Sequence, residues 1–300
     1  MKTSPSKYLV VVGTFFTSLS SIIIKFSEAP SLVISAYRML FTSLMLLVPV
    51  IMKKHNEFKN ISKKEYILCI ISGIFLALHY ATWISSIKLT TIANSTILVS
   101  CSPIFVALAN YLITKEKINK KMTLGIALSL IGTLIIALGS SGYAGTNAII
   151  GNILAFLGAV FVAGYLVIGG VVRKNMSALI YVFIVYLAST IVLFAMCIAT
   201  KTPLYPYAPQ EFMLFVALAF FCSILGHTVY NYMVKYVSST LISVSTLSEP
   251  IFASVLALLI FREIPSLYTL VGGIIIIIGI FYYLMVQNKE VEAVKLKEIK

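Results

Sequence analysis

The chain has 300 residues, of which 60% are hydrophobic and 11% charged, and its mean hydropathy is +1.01; soluble domains run at roughly half apolar and a quarter charged. This excludes a water-soluble domain, because ten bilayer-spanning helices of about 20 residues each leave no room for one. The formal charge of +13 does not point to a nucleic-acid partner, since most of the cations flank apolar runs instead of forming a stripe.

Apolar runs and their charged punctuation predict spans at 7–25, 31–52, 65–87, 91–113, 122–140, 150–171, 178–199, 211–235, 239–261 and 266–286. The runs are too long for strands and lack the alternation of a membrane barrel, so they are helices whose backbone bonds close within each segment. The expected fold class is an all-α polytopic membrane protein with ten transmembrane helices. Lys2 and Lys7 precede the first run as in a signal peptide, but no A-x-A-like site follows and nine similar runs do, which makes it a span. With the N-terminus inside, the inner segments hold Lys2, Lys7, Lys53, Lys54, Lys59, Lys63, Lys64, Lys115, Lys117, Lys120, Lys121, Arg173, Lys174, Lys235, Lys289, Lys295, Lys297 and Lys300. The outer loops hold only Lys25, Lys88, Lys201 and Arg262. Eighteen cations against four predict that both termini are cytoplasmic, and the expected location is the plasma (inner) membrane.

In chain order, the first candidate site residue is Arg38, about 10 Å in from the outer end of the second span at 1.5 Å per residue. It has three open roles: binding a substrate carboxylate, pairing with Glu249, or snorkelling outward. The third span carries His79, Tyr80 and Trp83, the last being the single tryptophan, and the eighth carries His227, Tyr230 and Asn231. These suit gates, a cavity wall that holds an organic cation, or an interfacial aromatic belt. The fourth and ninth spans are rich in small polar residues: Asn94, Ser95, Thr96, Ser100 and Ser102, then Ser243, Ser245, Thr246 and Ser248. Hydroxyls at that depth line a wet cavity or join helices. Glu249 is the one carboxylate in the middle of a span, and an ionisable group there is a functional candidate by default; the competing reading is a structural glutamate neutralised by Arg38 or held protonated by a neighbour. Gly125, Gly132, Gly272 and Gly279 suit close helix packing. The four cysteines are isolated and the three histidines have no ligand spacing, so no metal or other cofactor is expected. No catalytic motif or paired acids support an enzyme.

Shifting the chain by 147 residues superposes two stretches without a gap. Lys88 falls on Lys235, Pro103-Ile104-Phe105 on Pro250-Ile251-Phe252, Glu116 on Glu263, Gly125 on Gly272 and Gly132 on Gly279. The same shift places Tyr80 on His227, Trp83 on Tyr230 and Ser102 on Glu249. Five crossings per copy is an odd number, so the second copy enters the membrane inverted. The expected organisation is a first repeat at 7–140, a second at 150–287 and a charged cytoplasmic tail at 288–300. Inverted repeats in secondary transporters place the substrate near the midplane between the halves.

The stretch from His79 to Thr91, H-Y-A-T-W-I-S-S-I-K-L-T-T, continues with P-I-F, Glu116, Gly125 and Gly132; the later stretch has G-H-T-V-Y-N from Gly226, S-E-P-I-F from Ser248, Glu263, Gly272 and Gly279. This pattern resembles the EamA family of the drug/metabolite transporter superfamily along essentially the whole chain. The resemblance implies two inverted five-helix repeats, a central cavity and movement of small metabolites such as amino acids, often outward. It also implies structural roles for Pro103, Glu116, Pro250 and Glu263, and a shared role for Glu249. The expected function is therefore a secondary transporter, probed first at a cavity formed by Arg38, His79, Tyr80, Trp83, Asn94, His227, Tyr230, Asn231 and Glu249. Its partners are a small-molecule substrate and the lipid bilayer, with protons and a second copy of the chain also allowed. The alternatives are an uncoupled facilitator, a lipid or lipid-linked-sugar flippase, and a non-transporting scaffold.

Overall fold

A computed structural model describes residues 9–53, 55–114, 120–139, 147–233, 246 and 248–298. Among these the chain is helical, with no strand. The helices are α1 (Leu9–Phe26), α2 (Ser31–Lys53), α3 (Lys63–Leu89), α4 (Ile92–Val99), α5 (Ser102–Thr114), α6 (Lys120–Gly139), α7 (Ala148–Val172), α8 (Ala178–Ala199), α9 (Pro209–Ala217), α10 (Thr228–Met233), α11 (Glu249–Phe261) and α12 (Leu267–Glu298). A short 3₁₀ segment (His55–Asn60) precedes α3, and a π-helix (Leu218–His227) joins α9 to α10. Six helical stretches are long and apolar enough to cross a membrane: α1, α2, α3, α7, α8 and the run Pro209–Met233. Shorter apolar helices accompany them, and α12 continues past the expected end of the last span, to Glu298.

Two predicted spans are interrupted for a reason the sequence contains. The fourth divides into α4 and α5 at Ser100–Cys101, because Pro103 has no N–H to give to the carbonyl one turn earlier. Its duplicate Pro250 likewise occupies the first turn of α11, directly after Glu249. Both helices therefore begin partway through an expected span, at the equivalent residues Ser102 and Glu249. The π-helix departs from the α-helical pattern of its counterpart in α3. Hydroxyls reach back five residues there, Thr228 Oγ1 to the Ser223 carbonyl at 2.9 Å and Ser223 Oγ to the Leu218 carbonyl at 3.5 Å. Such insertions concentrate at functional positions.

Residues 147 apart in the sequence meet between the halves, as a pseudo-two-fold arrangement of two copies would place them. Ser43 and Thr190 hydroxyls approach to 3.4 Å, and Ser129 Oγ donates to the Ile276 carbonyl at 3.4 Å. The Tyr80 and His227 rings stand edge to face with centroids 6.0 Å apart. Helix partnerships repeat under the same exchange: α3 packs on α7 as the π-helix packs on α1, α5 on α7 as α11 on α1, while α2 meets its duplicate α8 and α6 meets its duplicate α12. The α6–α12 crossing is close because it is built on glycine. An added Cβ at Gly132 would stand 2.5 Å from the Gly272 carbonyl, and one at Gly125 would stand 2.7 Å from the Gly279 carbonyl. Small residues allow backbones to approach in this way where lipid supplies no hydrophobic drive.

Polar ties close the end of the bundle predicted to face outward. Lys88 Nζ donates to the carbonyls of Ser27 (2.9 Å) and Ala29 (2.6 Å). Glu211 accepts from the Glu28 N–H at 2.7 Å and from the Ser27 hydroxyl. The turn between α1 and α2 is thus gripped by a cation on its acceptors and a carboxylate on its donors.

Candidate functional site

A cavity of about 120 Å³ lies between the halves. Its polar and aromatic lining comprises His79, Trp83, Ser100, Ser102, Tyr165, His227, Tyr230, Thr246 and Glu249; Val99, Pro103, Val106, Val162 and Leu166 complete it. Each contributor has a structural reason for its place. Ser102 and Glu249 are first residues of helices forced to restart by the following proline, so both lie at helix N-termini inside the bundle, where backbone N–H groups lack intrahelical partners. The N-terminal end of a helix also favours a carboxylate such as Glu249.

On one wall His79 stacks on Trp83, with centroids 5.8 Å apart and planes 7° from parallel. His79 Nδ1 lies 2.9 Å from the Gly158 carbonyl. A carbonyl only accepts, so Nδ1 carries the proton and Nε2 is left as the acceptor of the neutral ring. On the opposite wall His227 meets Tyr230 edge to face at 6.1 Å. Tyr230 Oη donates to Thr14 Oγ1 at 2.8 Å and lies 3.2 Å from Thr17 Oγ1, tying α10 to α1. Glu249 sits beside Thr17 and within electrostatic reach of Arg38.

Of the nine residues expected in the cavity, the structure brings His79, Trp83, His227, Tyr230 and Glu249 to its surface. Tyr80 forms the layer behind them, its ring 5.2 Å from that of His79 and 6.0 Å from that of His227. Arg38 lies one layer further, its guanidinium 4.4 Å above the Tyr80 ring and its Nε donating to Ser223 Oγ at 2.9 Å. Arg38 is fully buried and forms no ion pair with Glu249; its Nη1 and Nη2 have no hydrogen-bond partner among the described residues. Snorkelling is thereby absent.

Asn94 and Asn231 lie elsewhere. Asn94 accepts from Thr269 Oγ1 at 2.7 Å, which joins α4 to α12 at the predicted outer end. Asn231 Nδ2 donates to Tyr165 Oη at 2.7 Å and to the His227 carbonyl at 2.9 Å, so it orients two lining residues from behind. Pro103 lines the cavity, and Pro250 is buried at the start of α11. Glu263 accepts from the Ile92 N–H at 2.6 Å, capping α4. Glu116, Lys235, Ser243 and Ser245 lie outside the described residues. Tyr165 went unread at the sequence level, although a tyrosine in the middle of the sixth span was the available signal. The Thr14–Thr17 hydroxyls of the first span and Ser223 of the eighth were equally visible as polar residues at depth. Among the described residues no group of histidine, cysteine or carboxylate side chains is arranged to hold a metal ion.

Comparison with known proteins agrees with this architecture. The EamA-like transporter family matches the sequence twice, over residues 6–138 and 149–285. An uncharacterized transporter of Archaeoglobus fulgidus is 27% identical over 82% of this chain and 84% of its own. The pseudopaline exporter CntI of Pseudomonas aeruginosa is 23% identical over 90% of this chain and 93% of its own. The uncharacterized transporter YetK of Bacillus subtilis is 24% identical over 88% of this chain and 81% of its own. A solved crystal structure superposes on 93% of this chain and 96% of its own with a TM-score of 0.65 at 15% identity, which shows a shared fold.

Proposed function

The chain belongs to the EamA-like transporter family, and on that premise we propose that it exports a small metabolite by alternating access between its two repeats. The observation that carries this reading is an asymmetry. The cavity takes equivalent residues from both halves, Ser102 with Glu249, Trp83 with Tyr230 and Val99 with Thr246, yet it is lined by α7 and by no residue of α1, the duplicate of α7. Two copies of one sequence pattern in different relationships to one cavity are what an exchange of conformations requires. The outward direction is supported by the name of the Pseudomonas relative, an exporter.

In this reading the repeats are residues 7–140 and 150–287, with 288–300 at the cytoplasmic side. The cation distribution supports both termini facing the cytoplasm of a plasma membrane. Glu249, the one carboxylate lining the cavity, is assigned proton coupling.

Purified protein in liposomes, loaded with mixed amino acids, amines and nucleosides and analysed for saturable efflux, tests the proposal. The expected result is flux of at least one solute class, accelerated by a proton gradient, with the acceleration lost in Glu249→Gln. Liposomes that move no solute overturn transport; gradient-driven flux that survives Glu249→Gln overturns the coupling role.

A further inference from the structure

Arg38 presents a problem that the bundle does not solve. Its guanidinium is charged under all accessible conditions, and burying a charged donor without an acceptor is strongly unfavourable. One nitrogen is satisfied by Ser223. The other two are buried and without a hydrogen-bond partner among the described residues. Glu249 is within electrostatic reach but makes no ion pair with it.

The Tyr80 ring stands between Arg38 and two residues that line the cavity. The guanidinium lies on one face of Tyr80, and the same ring meets His79 and His227, both of which line the cavity. The Tyr80 hydroxyl lies near Ser223 without a hydrogen bond of good geometry among the described residues, so the ring is held by packing and by the Arg38 cation on its face.

We propose that the Nη1–Nη2 edge of Arg38 is an anion subsite on the transport path, that it takes a carboxylate of the carried molecule, and that rotation of the Tyr80 ring connects it to the cavity. This rests on the transport reading above and names the chemical class that the site accepts. Two parallel N–H donors match the two oxygens of a carboxylate, a geometry that lysine does not offer. Glu249 in the cavity repels a second anionic group and leaves the aromatic walls for a neutral or cationic remainder.

Trp83 supplies the readout, since it is the single tryptophan of the chain and lines the cavity. Its emission is followed in purified full-length protein titrated with L-leucine, L-phenylalanine and phenylacetate, and with the amide of each. The expected result is saturable binding of acids, amides weaker by about 100-fold as two charge-assisted bonds are lost, no discrimination in Arg38→Gln, and an intermediate loss of about 10-fold in Arg38→Lys. The wild-type comparison of acid with amide needs no variant, so a misfolded substitution does not obscure it. Amides that bind as tightly as acids, Arg38→Gln binding acids as tightly as wild type, or absence of binding by every acid overturns the subsite. Flux of the same compounds through liposomes is read separately. Flux without acid–amide discrimination overturns the subsite and leaves transport standing, whereas discrimination without any flux supports the subsite and overturns transport.

Discussion

A methyl group at Gly132 tests the inter-repeat crossing directly. The Cβ of Gly132→Ala would lie 2.5 Å from the Gly272 carbonyl oxygen, 2.8 Å from Ile276 Cγ1 and 3.0 Å from the Ile276 nitrogen. Two of these neighbours are backbone and cannot rotate away. Ordinary contact begins at 3.4 Å, so α6 and α12 must part locally by about 0.9 Å, and a gap of about 0.5–1 Å forfeits a quarter to a half of each dispersion contact. Overpacking of this kind costs roughly 1–3 kcal/mol, offset by about 1 kcal/mol for replacing glycine within a helix. The net cost is centred on about 1 kcal/mol, and at about 2–4 °C per kcal/mol the melting temperature of detergent-solubilised protein is expected to fall by roughly 2–4 °C. Gly170→Ala is the matched control, because nothing lies within 4 Å of a Cβ there; it should melt at or slightly above wild type. The double variant Gly132→Ala/Gly272→Ala should lose less than the two single losses combined, since one separation of the helices accommodates both methyl groups. Gly132→Ala melting at or above wild type, in step with Gly170→Ala, would refute the reasoning.

Two further predictions concern the predicted outer end. Burial holds the Glu263 carboxyl above its usual value of 4.5, against the opposing pull of Lys25 and of the Ile92 and Ala93 N–H groups. A raised folded value means that the native state binds the proton more readily, so this stabilisation is complete below 4.5 and is lost as pH rises through the folded value. Thermal stability should therefore decline over that window, and Glu263→Gln, which keeps an acceptor for Ile92 without a charge, should flatten the profile; parallel profiles would refute the assignment. Lys88→Met removes the donor shared by the Ser27 and Ala29 carbonyls, with an expected loss of about 1–3 kcal/mol and faster proteolysis within residues 27–30. Unchanged cleavage would show that packing alone secures this turn.

The all-helical character and the duplication were legible because each leaves a direct mark on the sequence. Apolar runs report the bilayer, and the ungapped shift of 147 reappears in space as Ser43 against Thr190 and Ser129 against Ile276. The break at Ser100–Cys101 was foreshadowed by Pro103, but the π-helix was not, because Leu218–His227 has the apolar composition of any span. Partners were the least readable level. Asn94 looked like a cavity residue from its depth, and only the packing of α4 against α12 reveals Thr269 as its bonding partner. Arg38 left three roles open because the choice depends on Ser223 and Tyr80, which come from two other spans. Charge and depth can be read one residue at a time, whereas a hydrogen-bond partner is a property of the fold.

Ser43 facing Thr190 and Ser129 facing the backbone of Ile276 place each residue against its own duplicate. If the halves trade conformations, each of these pairs maps onto itself, so its separation is the same before and after. In such an exchange these pairs, together with Tyr80 and His227, would be its fulcrums. A contact between residues that are not duplicates of one another would then need a two-fold-related alternative in the opposite state, whereas a contact between duplicates has none to exchange with. A substitution at a fulcrum therefore shifts both states together and changes stability without biasing direction, while the same substitution away from the axis favours one state over the other.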